Sequence, residues 1–107
     1  MNDPRWASID AFAEQNRENI LRDITRLVAV PSIEGKAAPG APFGPGPKAA
    51  LEKALEIANE LGLSTYNADS YIGWAETGAI ADGQKFLATI THTDVVPEGN
   101  GWDADPY

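Results

Sequence analysis

The sequence predicts an α/β fold in which two helices pack on a mixed sheet with a central strand. In the first half of the chain, apolar residues recur every three or four positions, which is the spacing of a helix with one buried face. The second half contains short segments rich in β-branched and aromatic residues, separated by turn residues. One of these segments, residues 86–90, is apolar on both faces and so predicts a central strand covered by helices.

The first helix is expected to begin at Asp3 and Pro4, because aspartate is a good N-cap and proline suits the first helical position. Its apolar stripe runs for about two dozen residues and is interrupted only near Asn16. Pro31 marks the end, because the residue before a proline is disfavoured in the helical region. The stripe consists of Trp6, Ile9, Ala13, Ile20, Ile24 and Leu27.

Residues 35–47 contain four glycines and four prolines, which predicts a long loop. The loop is either a solvated connector or a shaped surface loop near a functional site, as long loops in compact domains often are. A second helix follows, with Pro47 in its first turn and Gly62 in the left-handed position after its end. Its predicted buried face consists of Leu51, Ala54, Leu55, Ala58 and Leu61.

Three strands are predicted next, over residues 63–67, 71–77 and 86–90. Turns at residues 68–70 and 81–84 separate them. His92 would then lie just beyond the carboxyl end of the central strand, where ligands bind in open α/β sheets.

The composition excludes several classes of function. Eight Lys and Arg residues against sixteen Asp and Glu give a net charge of −8, so we expect neither a nucleic-acid partner nor an anionic membrane partner. Cysteine is absent, so any metal would be bound by His, Asp or Glu. The first residues lack a signal-peptide pattern and no apolar stretch is long enough to cross a bilayer, which predicts a cytoplasmic protein.

His92 and Asp94 form the strongest chemical signal. A neutral imidazole can bind a metal through one nitrogen while an acceptor holds the other, and an aspartate two residues away can be that acceptor. The alternative is a hydrogen-bonded structural histidine, with Asp94 capping a turn. A zinc site needs three or more ligands, so spacing alone does not decide between them.

Residues 92–107 read HTDVVPEGNGWDADPY and resemble the first metal-site motif of a large zinc aminoacylase and dipeptidase family. This family includes acetylornithine deacetylase, desuccinylases, carboxypeptidases and carnosinase-like enzymes. Residues 27–33 resemble the end of the family's first helix and the turn after it. The loop at residues 42–44 and the following residues 48–51 are similar to the bacterial broad-specificity dipeptidase branch, and the resemblance runs from about Trp6 onward.

The resemblance implies that His92 is a zinc ligand and that Asp94 is the catalytic-site aspartate that supports it. It also implies two zinc ions per active site, with Co²⁺ or Mn²⁺ as alternatives, and a dipeptide or N-acyl amino acid as substrate. The implied reaction is metal-assisted hydrolysis of an amide bond, with a glutamate as general base.

The remaining metal ligands, the general base and a lid domain come later in such enzymes. Residues 1–107 are therefore expected to be the N-terminal segment of a catalytic domain, inactive alone, and the irregular segment at residues 102–107 agrees with this. The oligomeric state is left open. The alternative functions are a non-catalytic, small acidic α/β binding module and a related deacylase of N-acyl amino acids.

Overall fold

The computed structural model describes residues 3–79 and 81–107. Within them it contains the helices α1 (Pro4–Gln15), α2 (Arg17–Val28) and α3 (Pro45–Glu60), followed by the strands β1 (Ser64–Ala68) and β2 (Ile72–Glu76). The α/β class predicted from the sequence is confirmed. Among these described residues, none of the helices combines the length and the apolar character needed to cross a bilayer.

The predicted first helix is two helices that meet at Asn16. Asp3 caps α1 as expected, since its carboxylate accepts a hydrogen bond from the backbone N–H of Arg5 at 2.9 Å. Asn16 leaves the helical region (φ −102°, ψ 7°), and its side-chain amide donates to the carbonyl of Phe12 at 2.9 Å. A local side-chain bond of this kind competes with regular helix geometry. The helix is therefore divided where its apolar stripe is interrupted.

Helix α3 packs on the hairpin formed by β1 and β2. A Cβ atom at Gly73 of β2 would lie 2.9 Å from a methyl carbon of Leu51 and equally close to one of Leu55, so the glycine permits the helix to approach the strand closely. The buried residues of α3 are Ala50 and Ile57. The predicted face is thus only partly covered, and the expectation that Leu61 is buried was wrong: it lies at the C-cap and is 68% exposed.

The end of α3 follows the sequence prediction. Gly62 adopts φ 85°, its N–H donates to the carbonyl of Asn59, and the N–H of Leu63 donates to the carbonyl of Ala58. These two bonds are those of a Schellman motif, and they satisfy carbonyl groups that the helix leaves unpaired.

Strands β1 and β2 form an antiparallel hairpin in which Tyr66 pairs with Trp74 and their rings stack at 4.4 Å. The turn lies where the sequence predicted it. Asp69 and Ser70 both have positive φ, and the side-chain oxygen of Asn67 accepts the N–H of Ser70 at 2.8 Å. Aspartate tolerates left-handed backbone better than most residues, which suits it to this turn.

The predicted central strand is not formed. Within the described residues the sheet consists of β1 and β2 alone, antiparallel rather than mixed, and residues 86–90 have no strand partner. Leu87 is 94% and Ile90 99% exposed. A strand requires a neighbour for its backbone N–H and C=O groups. Apolar residues on both faces favour a buried strand, but they do not provide the neighbouring strand with which it must pair.

Within the described part of the chain, one short backbone pairing connects residues 85–107 to the turn that follows α2. Val95 forms an isolated parallel bridge with Ile33, and its N–H donates to the carbonyl of the buried Ser32 at 3.2 Å. The radius of gyration is 17.0 Å, against about 13 Å for a compact domain of this length. The compact part of the molecule is thus α3, the hairpin and the loop before α3.

Candidate functional site

His92 lies in an exposed loop that follows the unpaired residues 86–90. The loop is attached to the body of the molecule three residues later, where Val95 pairs with Ile33. This attachment places Val95 beside Ser32 and Ile33, in the turn that follows α2. The predicted position at the carboxyl end of a central strand was wrong, because residues 86–90, which directly precede His92, form no paired strand.

The structure brings His92 and Asp94 together. The imidazole Nδ1 lies 3.0 Å from the backbone carbonyl oxygen of Asp94 and 3.4 Å from its carboxylate Oδ1. A carbonyl oxygen can only accept a hydrogen bond, so Nδ1 carries the hydrogen. The lone pair of the neutral ring is then on Nε2, which is the arrangement a metal-binding histidine needs.

This pair supplies only part of a metal site. The side chain of His92 is 82% exposed and that of Asp94 is 64% exposed. Across the described part of the chain, no group of three or more His, Asp or Glu side chains is placed to hold a metal ion. A catalytic zinc has three protein ligands and a structural zinc has four, so one imidazole with a supporting carboxylate fits one corner of such a site.

Glu98 organises the end of the chain through two hydrogen bonds, a role that the sequence did not predict. Its backbone carbonyl accepts the indole N–H of Trp102 at 2.8 Å, and its carboxylate accepts the hydroxyl of Tyr107 at 2.8 Å. The backbone N–H of Tyr107 also donates to Asp105 at 3.0 Å. The available signal was the pair of aromatic donors that follows Glu98 within nine residues.

These hydrogen bonds shift two ionisation equilibria. The pKa of Glu98 is lowered, first by its own backbone N–H and then by the Tyr107 hydroxyl, because both donors stabilise the carboxylate. The pKa of Tyr107 is raised, because its neutral hydroxyl is the donor to Glu98. The loop that follows His92 and Asp94 is thus closed on itself at neutral pH.

The chain is similar in sequence to a group of bacterial proteins. No protein-family model matches the chain. Three proteins of Staphylococcus aureus, from strains USA300, NCTC 8325 and bovine RF122, are each 38% identical to it over 96 residues, which is 88% of this chain and 20% of theirs. Each carries the name "Putative dipeptidase". This similarity suggests a peptidase family.

The chain spans about a fifth of the length of the curated relatives it matches. The similarity therefore agrees with the sequence resemblance only in suggesting a peptidase family. The more specific expectations stay predictions. They are the zinc ions, the roles of His92 and Asp94, the substrate, the domain assignment and the cytoplasmic location.

Proposed function

We propose that this chain forms the first part of the metal-binding domain of a zinc-dependent dipeptidase, a hydrolase that cleaves the amide bond of dipeptides. The observation that carries the proposal is the 38% identity to proteins named as dipeptidases over 88% of the chain. The contact between His92 and Asp94 supports it, because it leaves one imidazole nitrogen for a metal.

In this proposal His92 binds zinc through Nε2, and Asp94 holds Nδ1 so that the ring keeps one tautomer and one orientation. Zinc, when bound, supplies Lewis-acid polarisation of the scissile carbonyl and of the attacking water. The residues of this chain contribute one ligand and its support. Further ligands, a second zinc and the general base belong to the part of the relatives' length that this chain does not span.

The substrate proposed is a dipeptide, because the relatives' names refer to dipeptides. A deacylase of N-acyl amino acids uses the same bond cleavage and stays the alternative. The two differ in the charge beside the scissile bond, since a dipeptide carries a free ammonium there and an N-acyl amino acid does not. Hydrolysis of glycyl-leucine compared with N-acetyl-leucine therefore separates them.

The experiment is a chimera. The matched 96-residue span of one S. aureus relative is replaced by the corresponding span of this chain, and hydrolysis of glycyl-leucine is measured beside the unmodified relative. We expect zinc-dependent hydrolysis by both, and loss of it from the chimera with His92→Ala. Absence of hydrolysis by the unmodified relative would contradict the proposal, and so would a chimera whose rate is unchanged by His92→Ala.

The chain by itself should bind zinc weakly and hydrolyse no dipeptide, because one imidazole and a nearby carboxylate leave the coordination set incomplete. Calorimetric titration with zinc tests the first point. Tight binding of one zinc ion per chain would contradict the roles assigned to His92 and Asp94.

A further inference from the structure

A cleft of about 910 Å³ lies away from His92, between the Pro/Gly loop and the turn of the hairpin. One wall is formed by loop residues 37–42 and the other by turn residues 67–71. Lys48 and Glu52 of α3 complete the lining. The cleft is open to solvent over much of its extent, so a ligand bound there would stay partly exposed. His92 is not among the residues that line it.

The loop wall has a fixed shape. Ala38 and Ala41 exchange two backbone hydrogen bonds, of 3.0 and 2.9 Å, around a tight turn in which Gly40 adopts φ 72°. Ala41 is buried, with 7% of its surface exposed. The loop thus has a defined turn, and its proximity to a functional site stays a prediction.

The opposite wall is also held in place. The side chain of Asn67 accepts the N–H of Ser70, and the N–H of Tyr71 donates to the carbonyl of Ala68. The ring of Tyr71 contacts the ring of Phe43 edge to face, with centroids 5.6 Å apart, so the hairpin turn is joined to the loop that precedes α3. Both sides of the cleft are thus formed before any ligand arrives.

Charges of both signs line this cleft. The ammonium of Lys48 lies 3.8 Å from the carboxylate of Glu52, which is too long for a hydrogen bond, so its donors stay available to a ligand. The lining also includes the acidic residues Glu52 and Asp69 and the hydroxyl-bearing residues Ser70 and Tyr71. A lining of this kind suits a small molecule that carries a cation and an anion at once.

We propose that this cleft binds a small zwitterion of the size of a dipeptide, with its carboxylate at Lys48 and its ammonium at Asp69. The aromatic ring of Tyr71 would contact the apolar part of the ligand. The site is separate from His92 and needs no metal, so it does not depend on the hydrolytic function proposed above.

The first test uses the unaltered 107-residue chain and glycyl-leucine as the probe, followed by ¹H–¹⁵N correlation NMR. We expect saturable shifts at the amides of Gly40, Asp69, Ser70 and Tyr71, with a Kd of about 1 mM, as for a small ligand in an open site. N-acetyl-glycyl-leucine and glycyl-leucine amide each lack one charge and should bind about 5- to 10-fold more weakly. Shifts that do not saturate by about 20 mM, or equal binding of all three ligands, would overturn the proposal.

The second test uses variants of the chain. Lys48→Met should weaken the binding of glycyl-leucine about 5- to 10-fold. Lys53→Met is the matched control, because Lys53 is on the same helix, pairs with Glu56 and does not line the cleft. Equal weakening by both variants would contradict the assignment. His92→Ala should leave the shifts unchanged, and their loss would place the ligand at His92 instead. If Lys48→Met fails to fold, the relative affinities of the three ligands for the unaltered chain still test the proposal.

Discussion

Arg26, near the end of α2, holds the carboxylate of Glu60 at the end of α3 through two parallel contacts. Nη1 lies 2.6 Å from Oε2 and Nη2 lies 2.9 Å from Oε1. Arg26 also reaches Asp23 at 3.2 Å and Glu56 at 3.3 Å. The apolar residues of α2 are poorly covered, and Ile24 is 51% exposed. Because few apolar contacts hold α2 in place, the bidentate ion pair between Arg26 and Glu60 helps to fix the orientation of α2 against α3.

Replacing Arg26 should loosen α2 from α3. Arg26→Met is expected to lower the melting temperature by about 5 °C or less, because the pair is partly exposed and solvent weakens it. Thermal unfolding followed by circular dichroism measures this. Arg22→Met is the control, since the hydrogen-bond partners of Arg22 among the described residues, Asp23 and Asn19, belong to its own helix. A larger loss for Arg22→Met than for Arg26→Met would contradict the prediction.

The same pair predicts a dependence of stability on pH. Hydrogen bonds from Arg26 lower the pKa of Glu60 below its usual value of 4.5. A carboxyl group whose pKa is lower in the folded state contributes stability that is present above its unfolded pKa and is lost as the pH falls through the folded pKa. Stability should therefore decline below about pH 4.5. In Arg26→Met, Glu60 should titrate near its usual value.

Carbon-13 NMR of the side-chain carboxyl measures the Glu60 titration directly. Thermal unfolding of the unaltered chain and of Arg26→Met is compared between neutral and acid pH. The difference between the two proteins should shrink on acidification. A difference that grows in acid, or a Glu60 titration that Arg26→Met leaves unchanged, would rule out this account.

Gly46 permits a close contact between the first turn of α3 and the turn after α2. A Cβ atom at Gly46 would lie 2.5 Å from the carbonyl oxygen of Pro31 and 2.9 Å from that of Ile33. Glycine to alanine inside a helix normally gains about 1 kcal/mol. Here the backbone would have to shift, at a cost of about 1–3 kcal/mol. We therefore expect Gly46→Ala to destabilise the protein.

Gly35→Ala is the matched control, since a Cβ atom there would meet its nearest neighbour at an ordinary 3.7 Å. Chemical unfolding of both variants gives the free energies. Gly46→Ala should also weaken the pairing of Val95, because residues 31–33 are the segment to which the His92 loop is attached. Faster hydrogen exchange at the Val95 amide would show this. Equal stability of the two variants would contradict the steric argument.

Substitutions at His92 and at Asp94 should have different effects on the metal content and the activity of the chimera. His92→Ala removes the proposed metal ligand and should lose both metal and activity. Asp94→Ala removes the carboxylate that lies 3.4 Å from Nδ1 but keeps the backbone carbonyl that accepts the Nδ1 hydrogen bond at 3.0 Å. It should keep much of the metal while activity falls about 10- to 100-fold. Asp94→Asn keeps a hydrogen-bonding group and should lie between Asp94→Ala and the unaltered chimera. Elemental analysis and steady-state kinetics measure the two quantities. Unchanged turnover in Asp94→Ala would make Asp94 a turn-capping residue.

The sequence by itself determined the features that depend on a few neighbouring residues. Asp3 and Pro4 begin α1, Gly62 ends α3, and Asp69 lies in the turn of the hairpin, each as predicted. These signals are local because a cap or a turn satisfies backbone groups within about four residues. The proximity of His92 and Asp94 belongs to the same class, since two residues of spacing keep their side chains within reach.

Only the tertiary structure decided which distant segments meet. Arg26 and Glu60 are 34 residues apart in sequence, and the cleft joins residues 37–42 to residues 67–71. The apolar pattern of residues 86–90 was compatible with a central strand, yet these residues have no partner strand in the described part of the chain. Strand pairing depends on a neighbour supplied from elsewhere in the fold, whereas apolarity is a property of the segment alone.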